Sequence, residues 1–354
     1  MKHTLFVFFS LFCILMGAAL VFSVPPWLQE EIYVKYIAYS STEGGAFVGF
    51  SNGTLWVGSN YAEFSWKVLD VKNNIAYVKL YLFVPSAKKV WYQKIPPNDG
   101  KVKLEELKRK YGGLVPIGSF GSCNIYKEGD AEITICENSV SIVSDSRNYT
   151  IGVFDDSAIE QESVATIINR SAVVQIDLIK NIMTYNNRTL GRNLLFIYPG
   201  EILPNSTIME IENATLKVQS FNSSRMTFYT YYGKFNPPIG VLWTTHIRTS
   251  SVGGRDILFY DYSTGLLLAG LMLFAPHWKA LGFDGAMLRD DEFQRGKTTF
   301  TEEQTYGFGM VLAETNAELY VHSSLQDTSP SSVYLLVTFI SIIALVIMLV
   351  RGRK

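Results

Sequence analysis

Cysteine is scarce in this chain: 3 residues in 354, with Cys13 inside an apolar stretch near the start. That excludes a disulfide-dense scaffold, and no second Cys or His pair stands near Cys123 and Cys136 to build a metal cluster. Histidine is almost as rare, with 4 residues, and His246, His277 and His322 are too dispersed for a helix-borne metal pair. An excess of charge is also lacking. With Lys2 and the basic residues after 350 set aside, 27 basic residues face 32 acidic ones, a mildly acidic body without an electrostatic footprint for nucleic acid. The glycine-rich stretch 112–121 has no Lys-Ser/Thr of a phosphate loop. The acidic clusters Asp155-Asp156 and Asp290-Asp291-Glu292 lack calcium-loop spacing and read as solvated turns. No catalytic, metal-binding or cofactor-binding residue is expected from these patterns.

Long apolar runs are missing from the body and present at both ends. Residues 4–22 follow a lone Lys2 and read as a signal peptide over 1–23 or, uncleaved, as an N-terminal anchor. Residues 333–350 are apolar or small without a charge, and at about 1.5 Å rise per residue they span roughly 27 Å, close to a bilayer core. The basic tail 351–354 places that end in the cytoplasm by the positive-inside tendency. The expected localisation is therefore the cell membrane, with a single span and the ectodomain outside. The lipid bilayer is the first expected partner, through 333–350.

Seven Asn-X-Ser/Thr sequons occur, at Asn52, Asn148, Asn169, Asn187, Asn205, Asn213 and Asn222. With 18 Asn and 53 Ser plus Thr, chance gives about 2.7. The excess predicts an N-glycosylated, extracytoplasmic body. Cys123 and Cys136 agree with an oxidising compartment. They bracket Gly129 and Asp130, and counting outward from that two-residue loop pairs Tyr126 with Ile133 and Cys123 with Cys136. The register puts the cysteines at a non-hydrogen-bonded site and predicts a disulfide.

Turn chemistry divides the rest into hairpins. Asn52-Gly53 joins 46–51 to 54–59, and Asn73-Asn74 joins 64–72 to 75–84. A regular register in the second hairpin puts Phe64, Trp66 and Val68 on one face with Tyr81 and Phe83, and Leu80 and Leu82 on the other, so both faces are expected to be covered. Further pairs are expected between 173–179 and 193–198, between 214–221 and 225–232, and between 256–262 and 266–274, with Gly265 in the left-handed region. Helices are expected only at 104–111 and 158–169. The Gly-X-Ser-X-Gly match at 49–53 runs into a returning strand instead of a helix, so it reads as a hairpin tip and not a nucleophile elbow.

The expected fold class is mainly β: an antiparallel hairpin meander forming a sandwich or strongly curved sheets, with few short helices and a C-terminal transmembrane helix. The β-rich ectodomain divides at about Ile151 into 24–150 and 151–322, followed by a polar stalk at 323–332. One segment stands apart. Residues 266–288 are apolar, with only Lys279 and Asp284 charged, yet carry loop punctuation. Trp278, Phe283, Met287 and Leu288 are therefore the candidate binding surface.

Pro25-Pro26-Trp27-Leu28, Val173-Val174-Gln175-Ile176-Asp177 with Thr189-Leu190-Gly191, and Tyr260-Asp261-Tyr262-Ser263-Thr264-Gly265-Leu266-Leu267-Leu268 carry a resemblance. The chain resembles uncharacterised membrane-anchored archaeal surface proteins of Thermococcales type, whose ectodomains are β-rich. The last of these stretches is also similar to a hairpin in the curved sheets of bacterial lipoprotein carriers, although the central helices of that fold are not evident here. The leading expectation is a non-enzymatic surface module with an envelope protein, glycan or lipid as partner. A structural envelope glycoprotein and an extracytoplasmic hydrolase are the alternatives.

Overall fold

The computed structural model describes residues 25–41, 45–58, 60–145, 147–197, 207–211, 214–220, 227–235, 239–244, 257–261, 263–291, 304–306 and 309–319. At 207–211, 214–220, 227, 239–244, 257 and 304–306 this is the backbone alone. Expectations for 1–23 and for 323–354 lie outside the described residues. Among those described, no helix is long and apolar enough to cross a membrane.

The first strands are β1 (Tyr33–Tyr39), β2 (Phe47–Ser51), β3 (Thr54–Gly58), β4 (Tyr61–Lys72) and β5 (Ile75–Ile95), followed by helix α1 (Pro97–Tyr111). A meander follows: β6 (Gly118–Phe120), β7 (Cys123–Glu128), β8 (Ala131–Ile135), β9 (Ser139–Val143), β10 (Arg147–Val153) and β11 (Ala158–Asp177). Then come β12 (Ile182–Tyr185), β13 (Arg188–Arg192), β14 (Thr207–Ile211), β15 (Ala214–Ser220), β16 (Thr227–Tyr229), β17 (Lys234–Phe235) and β18 (Ile239–Thr244). The last elements are β19 (Ile257–Asp261), β20 (Leu267–Leu271), α2 (Pro276–Ala280), β21 (Gly285–Leu288), β22 (Gln304–Tyr306) and β23 (Met310–Thr315).

β5 and β11 form an antiparallel spine, paired from Ile95 opposite Ala158 to Ile75 opposite Asp177. At about 3.3 Å per residue such a ribbon is roughly 65 Å long. Its register skips once, from Val84 opposite Ile168 to Ala87 opposite Thr166. Pro85 stands in that skip, and having no N–H it suits a bulge and not a regular ladder. The far edge of β5 changes partner at the same place. β4 pairs with 75–83 and β3 with 87–91, so both run along one edge, one after the other. From the β4 half the sheet continues through β1, β23, β20, β19, β18, β15 and β14. From the β3 half it continues through β2 and β21, and on the β11 side through β10, β9, β8, β7 and β6. All these pairings are antiparallel. The parallel pair β16–β22 belongs to a separate three-stranded sheet with β17.

Around the first half of β5 one face of the sheet is core. Val34 and Tyr36 of β1, Phe64, Trp66 and Val68 of β4, Val78 and Leu80 of β5, and Val174 and Ile176 of β11 are all inaccessible to solvent. Residues from later in the chain cover this face. Phe196 packs on Trp66 at 6.2 Å, Trp278 on Phe64 at 5.2 Å, and the Tyr36 hydroxyl donates to Leu267 O at 2.8 Å. Around the other half, α1 covers the meander. Leu104 and Tyr111 pack against Tyr126, Ile133, Val140 and Ile151. Pro97 opens the helix and Lys108, Arg109 and Lys110 complement its C-terminal dipole. A Cβ at Gly100 would stand 2.2 Å from Ala158 Cβ, so only glycine allows α1 to lie this close to β11.

The local turns match expectation. Asn52 and Gly53, and Asn73 and Asn74, all take positive φ, as a type I′ turn requires, and Gly265 sits at +74°. The pairings across the sheet differ in four places. Leu69 is extra in β4, between Val68 opposite Val78 and Asp70 opposite Tyr77. Phe64, Trp66 and Val68 therefore share the inner face with Leu82, Leu80 and Val78, while Tyr81 and Phe83 face outward, 36% and 39% exposed. The stretch 158–169 is strand and not helix, because β5 and β10 offer ladders on both its edges and tertiary pairing overrides propensity. Residues 175–177 pair with β12, which turns at Asn186 and Asn187 into β13, instead of with 193–198. β15 pairs with β14 and with β18, and β16 lies in the other sheet. The division at about Ile151 falls inside β10, and the chain through Ala317 is one compact unit.

Cys123 and Cys136 are bonded, with Cα atoms 4.2 Å apart, in the expected register of Tyr126 opposite Ile133. Gly129 takes φ +64° at the turn. Closing this short loop is expected to contribute about 2 to 3 kcal/mol through the denatured state. Thermal denaturation of the Cys123→Ser, Cys136→Ser double variant should show that loss, and an unchanged midpoint would refute it.

Candidate functional site

The skip at Pro85 opens a groove on the outer face of the spine. Its volume is about 570 Å³, lined by Val57 of β3, Lys88 and Val90 of β5, Asn148 of β10, and Gln161 and Ser163 of β11. Ser41, Asn60, Ser86 and Ala87 complete it. Val90 and Ser163 are buried and make the floor, while the amides stand at the walls. A smaller hollow of about 210 Å³ adjoins it, and there Asp145 and Arg147 join Lys88 and Asn148. The larger groove offers neutral donors and acceptors, one cation and an aliphatic floor. Among the described residues no carboxylate lines it. Sequence reasoning marked Asn148 only as a sequon and missed the rest, because Ser, Asn and Gln scattered over 41–163 share no motif. Pro85 within an otherwise strand-like run was the available signal.

The apolar segment 266–288 lies elsewhere and mostly inside. Trp278, Phe283 and Leu288 are each 1% exposed, and Met287 is half-buried. The Trp278 indole donates to Met272 O at 2.6 Å, and Phe283 packs on Phe47 at 5.4 Å. These are core side chains and do not form a surface. Arg170 of β11 joins the segment to the spine: its Nη1 donates to Leu281 O at 2.9 Å and Gly282 O at 3.1 Å, and its guanidinium lies 4.1 Å from the Phe283 ring centre. Burial lowers the Arg170 pKa.

Two polar groups expected at the surface are buried. Asp290 and Asp291 are 1% and 8% exposed. Asp290 Oδ2 accepts from Tyr39 N at 2.9 Å and from the Tyr231 hydroxyl at 2.9 Å, and Asp291 Oδ2 accepts from the Ser40 hydroxyl at 3.0 Å. They clamp the end of β1 to the exit of β21 and are not solvated. His277 is fully buried, stacked on Phe64 at 4.8 Å and against Trp278 at 4.4 Å. Neither of its ring nitrogens has a hydrogen-bond partner among the described residues. His246, His322 and Glu292 lie outside those residues, and no metal-competent cluster occurs within them.

Of the sequon asparagines, Asn52 and Asn187 sit exposed in hairpin turns, Asn169 is exposed in mid-strand, and Asn148 is half-buried in the groove wall. Asn205, Asn213 and Asn222 lie outside the described residues or side chains. No family model, curated protein or solved structure matches this chain. Functional inference therefore rests on its own geometry.

Burial holds the His277 pKa down at about 3, against about 6.5 for the unfolded chain. The folded state keeps the ring neutral while the unfolded state takes up a proton. Stability is therefore whole above pH 6.5 and is lost as pH falls from there toward 3, by up to about 1.4 kcal/mol per unit. A His277→Phe variant keeps the ring stack and should flatten the fall in melting temperature between pH 7 and 4. Parallel curves for the two proteins would refute this.

Proposed function

We propose that this protein is a membrane-anchored module of the cell exterior that binds an uncharged, polyhydroxylated ligand, a saccharide in chemical class, in the groove at the spine's waist. The observation that carries the reading is the lining itself. Asn60, Asn148 and Gln161 supply amides and Ser41, Ser86 and Ser163 hydroxyls, around a floor that includes Val90. Amides and hydroxyls exchange hydrogen bonds with sugar hydroxyls, and the aliphatic floor suits a sugar's C–H face. At about 570 Å³ the groove falls in the size range of small-ligand sites. The outside placement is supported by the seven sequons, the bonded cysteine pair, and the apolar stretches 4–22 and 333–350 with the basic tail behind the second. We read the architecture as one strongly curved sheet and not a sandwich, since the packing of Phe196 on Trp66 and of Trp278 on Phe64 follows from curling.

Titration of the full chain in detergent with a panel of neutral oligosaccharides should give saturable binding. Gln161→Leu should weaken it about tenfold, the worth of one to two hydrogen bonds, without moving the melting temperature. No binding across the panel, or equal binding by the variant, would refute the groove reading. Orientation is tested separately. Protease added to intact cells should digest the ectodomain, whereas an ectodomain protected there and cut in inside-out vesicles would reverse it.

A further inference from the structure

On the outer face of the spine, below the groove, lies a patch of large apolar side chains. Ile167 is 65% exposed, Phe83 39%, Tyr81 36% and Val173 46%. Patches of this kind on a sheet are ordinarily covered by something. Asn169, the acceptor of the sequon Asn169-Arg170-Ser171, stands at its centre. It is exposed and directly opposite Phe83 in the β5–β11 register, with Ser171 opposite Tyr81. Such cross-strand neighbours share a face with Cβ atoms about 4.5 to 5.5 Å apart.

A second observation concerns the same stretch. On the side of β11 away from β5, β10 stops at Arg147 opposite Val164 and β12 begins at Thr184 opposite Gln175. Residues 165–174 thus have no strand partner on that edge among the described residues, an open edge of the kind that templates unwanted pairing. Asn169 is at its middle.

We propose that Asn169 is N-glycosylated and that the first sugar lies with its C–H face on the Phe83 ring, with Tyr81 beside it. The inference rests on the extracytoplasmic reading above but not on ligand binding in the groove. In the modification, Asn169 Nδ2 attacks the anomeric carbon of an oligosaccharide carried on a lipid diphosphate. The N–C bond forms, the C–O bond breaks with its electrons leaving on the lipid diphosphate, and the amide proton passes to solvent. The attached glycan covers the apolar patch and, being bulky and solvated, keeps other strands from the open edge.

Glycopeptide mass spectrometry of the full chain from membranes of an N-glycosylating host tests occupancy, with the turn sequons Asn52 and Asn187 as internal controls. Asn169 should carry glycan. Asn169 bare with either control occupied overturns this inference alone, and all three bare overturns it together with the extracytoplasmic reading. Docking on the ring is tested by Ser171→Ala, which removes the sequon but keeps Asn169. Its melting temperature should fall by about 2 °C or more, and its self-association should rise. In a Phe83→Thr background, or Tyr81→Thr if the first variant folds poorly, the Ser171→Ala shift should vanish. A shift of equal size in those backgrounds means the sugar does not rest on the rings and overturns the docking.

Discussion

The 19 residue pairs between β5 and β11 are the constraint on which the other parts depend. A ribbon this long joins two cores that share no side chain layer: one beneath β1, β4 and the curled sheet, the other beneath α1. Each half of β5 must present its inner face to a different set of partners. The skip at Pro85 makes that possible, since a bulge bends its strand and increases local twist. Without it, β3 and β4 would form one continuous strand along β5, and no gap would open between them. The groove is therefore a consequence of how the two cores are connected. Ala87, which follows the bulge, lines the groove and pairs with Gly58 of β3.

Local conformation was legible in the sequence wherever one residue type is needed to achieve it. Asn52, Gly53, Asn73, Asn74 and Gly265 announce turns because positive φ is cheap for Asn and Gly and costly for most others. The cysteine register followed from such a turn and from counting. What was not legible is how hairpins join and which face each presents. Leu69 and Pro85 each insert one residue, and because side chains alternate with period two, a single insertion moves every later side chain to the other face. Nothing in the composition around Leu69 marks it. The stretch 158–169 has the Ala, Glu and Gln of a helix, and only its two waiting partners, far away in sequence on β5 and adjacent on β10, make it a strand.

The burial of the apolar segment was misread for a related reason. Trp278, Phe283 and Leu288 looked like an apolar surface loop because turn residues interrupt them, yet apolar content is more often buried, and here Trp278 packs on Phe64 and Phe283 on Phe47. Burial in turn explains His277 and Asp290. Asp290 accepts hydrogen bonds from Tyr39 N and the Tyr231 hydroxyl, and its neighbour Asp291 accepts one from the Ser40 hydroxyl. The imidazole has no such partner and is tolerated only as a neutral ring in an aromatic stack. Polar character alone did not separate the two cases; the partners supplied by distant strands did.

The two faces of β11 meet different surroundings. Its even-numbered residues toward Asp177 (Ile168, Ala172, Val174 and Ile176) are core, whereas Gln161, Ser163, Ile167 and Asn169 alternate with them on the opposite face. Groove and sequon thus stand on one continuous outer surface, a few residues apart along the same strand. Core packing fixes the register of β11 against β5, and that register alone decides that Asn169 meets Phe83 and that Ser163 meets Val90. A slip of one residue would bury the sequon and expose the core. The same hydrophobic pattern that stabilises the fold is therefore what positions its outer surface, which accounts for a site that carries no sequence motif of its own.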